Sequence, residues 1–120
     1  MKLIRSFAYA WNGLRICFAT EQNFRIHTLL TIVAVIFAIV FKISAIEWIA
    51  TGFCIAFVIA MEMINTTIEK LCDMVHQDVH SSVKKVKDIA AGAVLVSAIF
   101  SLITGLIIFL PKIIMYLKSL

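Results

Sequence analysis

An uninterrupted run of uncharged residues near the C-terminus constrains this chain more than any other feature. From Ile89 to Leu110, 22 residues pass without a single Asp, Glu, Lys or Arg. A helix needs about 20 predominantly apolar residues to cross the hydrocarbon core of a bilayer. The run therefore predicts a transmembrane helix, and Pro111, which follows directly, is expected to stop or redirect it.

The composition of the chain agrees with a membrane protein and excludes other classes. Of the 120 residues, 62% are hydrophobic and 15% are charged, whereas soluble domains average about 45–50% apolar and about 25% charged residues. One Pro, four Gly and long aliphatic runs exclude a disordered chain. The net charge of +4 comes from basic residues that flank apolar stretches, which an anionic lipid surface explains better than nucleic acid does. The three cysteines are expected to be reduced packing residues.

Two further apolar segments predict a transmembrane hairpin. Ile26–Phe41 contains only His27 as a titratable group, and Trp48–Met61 contains none. Lys42 and Glu47 bracket a short polar break between the two segments. The second helix is expected to continue through EMINTTIEKLCD, because nothing in that stretch breaks a helix. The predicted transmembrane helices cover residues 24–42, 47–72 and 88–110, and a loop covers residues 73–87.

The first 20 residues have the pattern of a helix that lies on the membrane surface. Apolar side chains recur at spacings of three and four, at Leu3, Ile4, Phe7, Ala8, Trp11, Leu14 and Phe18. Such a pattern predicts an amphipathic helix in the interface plane. No cleavable signal is expected, because Arg15 interrupts any apolar core. We therefore predict an all-α membrane protein with a single domain over residues 1–120, which comprises this surface helix at about 1–20 and three transmembrane helices.

The distribution of Lys and Arg predicts the orientation in the membrane. Eight basic residues lie before or at the start of the first span, or between the end of the second span and the start of the third, at Lys2, Arg5, Arg15, Arg25, Lys70, Lys84, Lys85 and Lys87. The hairpin turn has only Lys42, and the C-terminal end has Lys112 and Lys118. Because cytoplasmic segments carry an excess of Lys and Arg, the N-terminus and the 73–87 loop are predicted to be cytoplasmic and the C-terminus outside.

Six of the seven acidic residues fall on the predicted cytoplasmic side, which the rule for Lys and Arg does not explain. Four polar residues of the second span share one face: Glu62, Asn65, Glu69 and Asp73. At about 100° per residue they lie within about 80° of each other around the helix axis. A charge at membrane depth costs at least about 2.5–3.5 kcal/mol, which favours a functional role for Glu62 and Asn65. For Glu69 function and solvation are equally open, and for Asp73 solvation or a supporting role is favoured.

Other polar residues at the same membrane edge allow two interpretations. Lys87 and Asp88 open the last span either as an interfacial anchor and helix cap or as groups that flank a phosphate. Glu21 caps a polar connector and is a ligand only if its facing partners make it one. His27 is interpreted as a satisfied interfacial histidine rather than a catalyst. Four scattered Gly form no phosphate-binding loop, so these residues alone indicate a three-span membrane protein with a carboxylate cluster at its cytoplasmic face.

Four sequence blocks carry a resemblance to a known family. EMINTTIEKLCD, Glu62–Asp73, followed by VKKVKDIAAGAVL, Val83–Leu95, resembles the small bacterial lipid kinases of the diacylglycerol kinase/undecaprenol kinase family. FAYAWNGLR, Phe7–Arg15, and EQNFRIH, Glu21–His27, extend the resemblance over nearly the whole chain. The resemblance implies a helical bundle of three spans with an N-terminal surface helix, assembled as a homotrimer.

The resemblance also implies roles for individual residues. Glu62 resembles the family's catalytic base, which takes the proton from the lipid hydroxyl, and Glu21 and Glu69 resemble the carboxylates that hold Mg²⁺ against the ATP phosphates. The implied nucleotide-binding residues are Lys2, Tyr9, Glu21, Asn65, Glu69, Asp78, His80, Lys87 and Asp88. The implied lipid-binding residues are Arg5, Trp11, Arg15 and Glu62.

The function that follows is ATP-dependent phosphorylation of a membrane lipid alcohol at the cytoplasmic face of the bacterial inner membrane. The site is expected between subunits, because three thin helices alone cannot enclose it. The segment NFRIH, Asn23–His27, resembles the undecaprenol kinase branch, which favours undecaprenol over diacylglycerol as the acceptor. Two non-enzymatic alternatives are a proton or ion carrier, which needs acids that continue through the membrane, and a membrane adaptor, which leaves the alignment of Glu62, Asn65 and Glu69 unexplained.

Overall fold

A computed structural model describes residues 1–75 and 81–120, which contain four helices. These helices are α1 (Lys2–Thr20), α2 (Gln22–Val40), α3 (Ala45–Val75) and α4 (Ser81–Lys118). The predicted all-α class is thereby confirmed. Asp78 and His80, two of the residues implied in nucleotide binding, lie outside the described residues.

The last three helices are each long and apolar enough to cross a membrane. They contain 19, 31 and 38 residues, which at about 1.5 Å per residue correspond to about 28, 46 and 57 Å. Because the hydrocarbon core is about 30 Å thick, α3 and α4 are long enough to extend beyond it. Large apolar side chains such as Phe53, Phe100 and Ile107 are exposed along the chain, and a surface of this kind needs lipid or another protein chain to cover it.

The turn between α2 and α3 is fixed by two local hydrogen-bonding motifs. The N–H groups of Lys42 and Ile43 donate to the carbonyls of Ile39 and Ala38, which is the Schellman pattern, and Lys42 adopts the required positive φ of 51°. Ser44 and Glu47 then satisfy each other's backbone N–H with their side chains, at 3.2 and 3.0 Å. The predicted break between the first two spans is therefore a tight hairpin turn.

The packing is strongest between α3 and α4, and α2 packs against α3. A small apolar core at the hairpin end contains Ala38, Ile43, Ile108 and Phe109. At the same end Lys112 Nζ lies 2.7 Å from Glu47 Oε2 and joins α4 to the start of α3. These contacts fix the end of the bundle that is remote from Glu62.

Two expectations about the last helix need correction. Pro111 does not stop α4, which continues to Lys118. A proline inside a helix costs about 3 kcal/mol, and contacts beyond it offset this: Lys112 binds Glu47, and Ile113 packs against the apolar core. At the other end, residues 73–75 and 81–87 of the expected loop are helical, because α3 reaches Val75 and α4 begins at Ser81.

The first helix meets the rest of the protein through its C-terminal part. Cys17 is the one buried residue within Lys2–Thr20. Arg25 Nη1 donates to the carbonyls of Phe18 and Ala19 at 2.8 and 3.2 Å, which places a cation at the negative end of the α1 dipole. Burial raises the pKa of the Cys17 thiol, and the nearby Glu21 carboxylate adds to the effect. Because α1 also contacts α3, the α1–α2 junction lies beside α3.

Candidate active site

Glu62 is buried within the helical bundle. The residue is 3% exposed, and its Oε1 lies 3.1 Å from Nε2 of His27 on α2. Within residues 1–75 and 81–120, no Lys or Arg forms an ion pair with Glu62. A carboxylate removed from water is strongly disfavoured unless it is paired and hydrogen-bonded. His27 is therefore the group that compensates the buried Glu62 carboxylate.

Asn65 and Glu69 continue from Glu62 along α3 and contact each other. Asn65 Nδ2 donates to Glu69 Oε1 at 3.2 Å, whereas the buried Asn65 Oδ1 accepts no hydrogen bond from the described part of the chain. Asn65 lines a cleft of about 270 Å³ between α3 and α4, whose other lining residues are apolar: Met61, Ile64, Ile68, Val86, Ile89, Ala90 and Ala93. Buried amide oxygens almost always have a partner, so this oxygen is suited to a hydrogen-bond donor or a cation that enters the cleft.

Glu21 brings a third carboxylate into the same region. It is half-buried at the junction of α1 and α2, where the backbone is extended between the two helices. Glu21 and Glu69 are both close enough to Glu62 for their negative charges to repel its carboxylate. Across the described ranges, 1–75 and 81–120, no three His, Cys, Asp or Glu side chains form a group that would hold a metal by themselves. A cation bound by Glu21 and Glu69 would therefore take further ligands from another molecule.

Lys87 and Asp88 each have an ionic partner within the chain. Lys87 Nζ lies 2.7 Å from Asp73 Oδ1 on α3, and Lys84 Nζ lies 2.6 Å from Asp88 Oδ2 one turn away. Lys87 is also within electrostatic range of Glu69. The structure thus places Lys87 near the outer end of the carboxylate row, whereas Asp88 contacts a lysine of its own helix.

The candidate residues of α1 are separate from this cluster in the single chain. They are Lys2, Arg5, Tyr9, Trp11 and Arg15, and all five are exposed. Their charged groups form no ion pair with any residue in 1–75 or 81–120. One chain therefore brings together Glu21, Glu62, Asn65, Glu69 and Lys87, but not the basic and aromatic residues of the first helix.

The contact between His27 and Glu62 was missed by the sequence analysis, which interpreted His27 as an interfacial histidine. His27 also lines a cavity of about 460 Å³ between α2, α3 and α4. The cavity is mostly apolar, with hydroxyls from Thr31, Thr51 and Ser101 among the lining residues. The imidazole thus connects the buried carboxylate with an apolar space between the spans.

Comparison with known proteins identifies the family of this chain. Residues 8–109 match the family described as prokaryotic diacylglycerol kinase. The chain is 37% identical to an undecaprenol kinase of Bacillus subtilis, over 92% of this chain and 90% of that protein. It is 39% identical to a diacylglycerol kinase of Synechocystis over 91% of this chain, which covers 63% of that protein. A diacylglycerol kinase of Escherichia coli is 28% identical, over 89% and 88% of the two chains.

These matches cover most of this chain and include relatives above 30% identity. Together with the three apolar helices, they identify a multi-pass bacterial membrane protein. The named relatives are kinases that act on lipids. The chain belongs to the prokaryotic diacylglycerol kinase family and is a membrane lipid kinase.

Proposed function

We propose that this protein transfers the γ-phosphoryl group of ATP to the hydroxyl of a membrane lipid alcohol at the cytoplasmic face of the membrane. The observation that carries the proposal is the buried Glu62 carboxylate, which begins a row of polar groups along α3 after 14 uncharged residues. Membership in a lipid kinase family excludes the two non-enzymatic alternatives, a proton or ion carrier and an adaptor. Undecaprenol is the favoured acceptor and diacylglycerol the second.

In the proposed reaction Glu62 is the general base. Its carboxylate accepts the proton of the lipid hydroxyl while the hydroxyl oxygen forms a bond to the γ-phosphorus and the bond from that phosphorus to the leaving ADP oxygen breaks. A base at this depth meets an alcohol that remains in the bilayer, whereas ATP arrives from water. In the proposal, the row from Glu62 through Asn65 to Glu69, about two turns of α3, spans this boundary.

The residues present fit a divalent cation bound with the nucleotide. Glu69, Glu21 and the unpartnered Asn65 Oδ1 are oxygen ligands of the kind that Mg²⁺ prefers. Mg²⁺ is usually held by only one or two carboxylates, and phosphate oxygens and waters supply the remaining ligands. We propose that Glu21 and Glu69 hold the ion, which when bound neutralises charge on the ATP phosphates.

The remaining nucleotide and lipid contacts in the proposal come from several elements. Asn65, Lys87 and Asp88 act on the phosphates, and Asp78, His80, Lys2 and Tyr9 on the nucleotide. The lipid headgroup is bound by Arg5, Trp11 and Arg15 beside Glu62. The support for these roles is the resemblance of each position to the family pattern. Lys87 additionally lies within electrostatic range of Glu69.

We further propose a homotrimer with sites between subunits. Two observations support this arrangement: in one chain the basic and aromatic residues of α1 are exposed and unpaired with the cluster, and many large apolar side chains are exposed. A second subunit would cover apolar surface and bring additional side chains to Glu62. The proposed orientation has the N-terminus in the cytoplasm and the C-terminus outside, supported by the distribution of Lys and Arg.

A competition assay tests the proposed function. Purified protein is given labelled ATP with equal amounts of undecaprenol and diacylglycerol in mixed micelles, beside Glu62→Gln and the matched control Glu47→Gln. We expect preferential labelling of undecaprenol, loss of about 10²–10⁴-fold in kcat for Glu62→Gln without a large change in KM for ATP, and normal turnover for Glu47→Gln. Normal turnover of Glu62→Gln would contradict the assignment of the base, and preferential labelling of diacylglycerol would contradict the choice of acceptor.

A further inference from the structure

We propose that His27 is a positioning residue for the phosphoryl transfer, because its imidazole holds the Glu62 carboxylate in place and compensates its charge. The inference rests on the function proposed above, in which Glu62 is the base. It concerns a residue of α2 that the family resemblance did not assign to the site. Its basis is the contact between Nε2 of His27 and Oε1 of Glu62 at 3.1 Å.

The electrostatic surroundings of Glu62 make this contact the main stabilisation of its carboxylate. The side chain of Glu62 is 4% exposed and that of His27 is 22% exposed, so water contributes little to the stabilisation of the carboxylate. The other titratable groups around it are Glu69 on α3, Glu21 at the α1–α2 junction and Cys17 on α1. None of these three carries a positive charge, and the two carboxylates repel a charge on Glu62. Among residues 1–75 and 81–120, His27 is thus the one ion-pair partner of Glu62, and its ring N–H can donate a hydrogen bond to the carboxylate.

The backbone of α2 is held firmly at this point. Phe24, one turn before His27, is 4% exposed, and the Thr28 hydroxyl donates to its carbonyl at 2.8 Å. The Thr31 hydroxyl donates to the carbonyl of His27 itself, also at 2.8 Å. The imidazole extends from this segment to Glu62, which it meets at 3.1 Å.

The chemical consequence concerns which carboxylate oxygen reacts. In the proposed geometry, the Nε2–H group of His27, which lies 3.1 Å from Oε1, donates to that oxygen, and Oε2 is left to accept the proton of the lipid hydroxyl. After the transfer that proton is on Glu62, and the hydrogen bond from His27 persists. Without the imidazole the carboxylate would lack both its orientation and its electrostatic compensation, and we expect the reaction rate to fall while nucleotide binding is preserved.

Three substitutions at His27 separate this role from a general effect on packing. The amide nitrogen of Gln reaches the place of Nε2, that of Asn ends one bond short of it, and Leu has no donor. A general base contributes about 10²–10⁴-fold to kcat, and we expect His27→Leu and His27→Asn to lose at least about tenfold of it. His27→Gln should recover most of the lost kcat, and KM for ATP should stay unchanged in all three. The control Val33→Ala lies on the same helix and lines the same cavity, and it should retain normal turnover.

A double-mutant cycle with Glu62→Gln distinguishes an effect of His27 on Glu62 from a general effect on the structure, because it compares the loss of kcat in two backgrounds. If His27 acts through Glu62, His27→Leu lowers kcat in the native background but causes no further loss in the Glu62→Gln background. Equal fold losses in both backgrounds, or equal activity of His27→Gln and His27→Asn, would overturn the proposal while the lipid kinase function stands. Normal turnover of Glu62→Gln alone would instead refute the assignment of Glu62 as the base in the proposed function, so the two failures are distinguishable. Because Gln and Asn are both polar amides, the comparison between them remains informative if His27→Leu does not fold.

Discussion

Lys87 Nζ lies 2.7 Å from Asp73 Oδ1, and this ion pair joins the end of α3 to the first turns of α4. The side chains are 38% and 66% exposed, so the pair contributes only about 0–1 kcal/mol. Lys87, which we propose to bind the ATP phosphates, is therefore held only weakly by Asp73, and a phosphate can replace this partner. A triphosphate carries more negative charge than one carboxylate and competes well for Lys87.

The first prediction concerns this competition. Asp73→Asn removes the carboxylate that competes with phosphate, and we expect KM for ATP to fall by up to about fivefold, the equivalent of about 1 kcal/mol. Lys87→Met should raise KM for ATP, and Lys85→Met, a neighbouring exposed lysine, should leave it unchanged. Initial rates at varied ATP concentration measure all three. Unchanged KM in both Asp73→Asn and Lys87→Met would contradict a phosphate-binding role for Lys87.

The second prediction concerns the divalent cation. Glu69→Gln removes a charge but retains an oxygen that can accept the hydrogen bond from Asn65 Nδ2. We expect the Mg²⁺ concentration for half-maximal activity to rise by about tenfold or more, equivalent to about 1.4 kcal/mol. Rates at saturating ATP over a Mg²⁺ series give this value, with Glu47→Gln as the matched carboxylate control. The same Mg²⁺ dependence in Glu69→Gln and the native protein would exclude Glu69 as a ligand.

The membrane spans were predictable from the sequence because they depend on local composition. Run lengths between charged residues locate α2, α3 and α4, and the Lys42–Glu47 break locates the hairpin. The helix ends were less predictable, since they depend on tertiary contacts. The continuation of α4 beyond Pro111 is stabilised by Lys112 and Ile113, whose partners are distant in sequence and invisible to a local pattern.

In the candidate site, too, contacts within one helix were predictable and the contact between two helices was missed. Helical spacing along α3 placed Asn65 and Glu69 close together, and they are hydrogen-bonded. The partner of Glu62 was missed because it lies on another helix, although the hairpin contains the necessary signal. His27 lies 13 residues before Val40 and Glu62 lies 17 residues after Ala45, which puts them about 20 and 26 Å from the turn, a difference of about one helical turn. An antiparallel pairing of the two spans therefore brings them near the same level.

The third prediction uses the burial of Cys17 to test the docking of α1. Burial raises the pKa of its thiol, and the thiolate is the reactive form. Alkylation should therefore require a higher pH in the folded protein than in the unfolded chain. The iodoacetamide reaction rate is measured between about pH 7 and pH 10 in the double variant Cys54→Ala, Cys72→Ala, in which Cys17 is the remaining cysteine. Coincident pH profiles for folded and unfolded protein would show that Cys17 is not buried against its neighbours.

The last prediction concerns the ion pair at the opposite end of the bundle, Glu47 with Lys112. Glu47→Gln removes the charge but retains a side chain that can continue the reciprocal cap with Ser44, and Lys112→Met removes the other charge. Both partners are about one-quarter exposed, at 26% and 27%. An exposed ion pair contributes about 0–1 kcal/mol, whereas breaking a buried one costs about 3–5 kcal/mol. We expect each variant to lower the free energy of unfolding by an amount between these two values.

The lipid kinase activity of these two variants should be normal at temperatures where they remain folded. Glu47 is 15 residues from Glu62 on α3, a distance of about 22 Å along the helix, so the pair stabilises the bundle without contact with the site. Thermal unfolding in detergent is measured for both single variants and the double variant. The double variant should lose less stability than the sum of the two single variants, because the two charges share one interaction. Strictly additive losses would show that Glu47 and Lys112 stabilise the fold independently, and a loss of kcat in folded Glu47→Gln would show that the two ends of α3 are coupled.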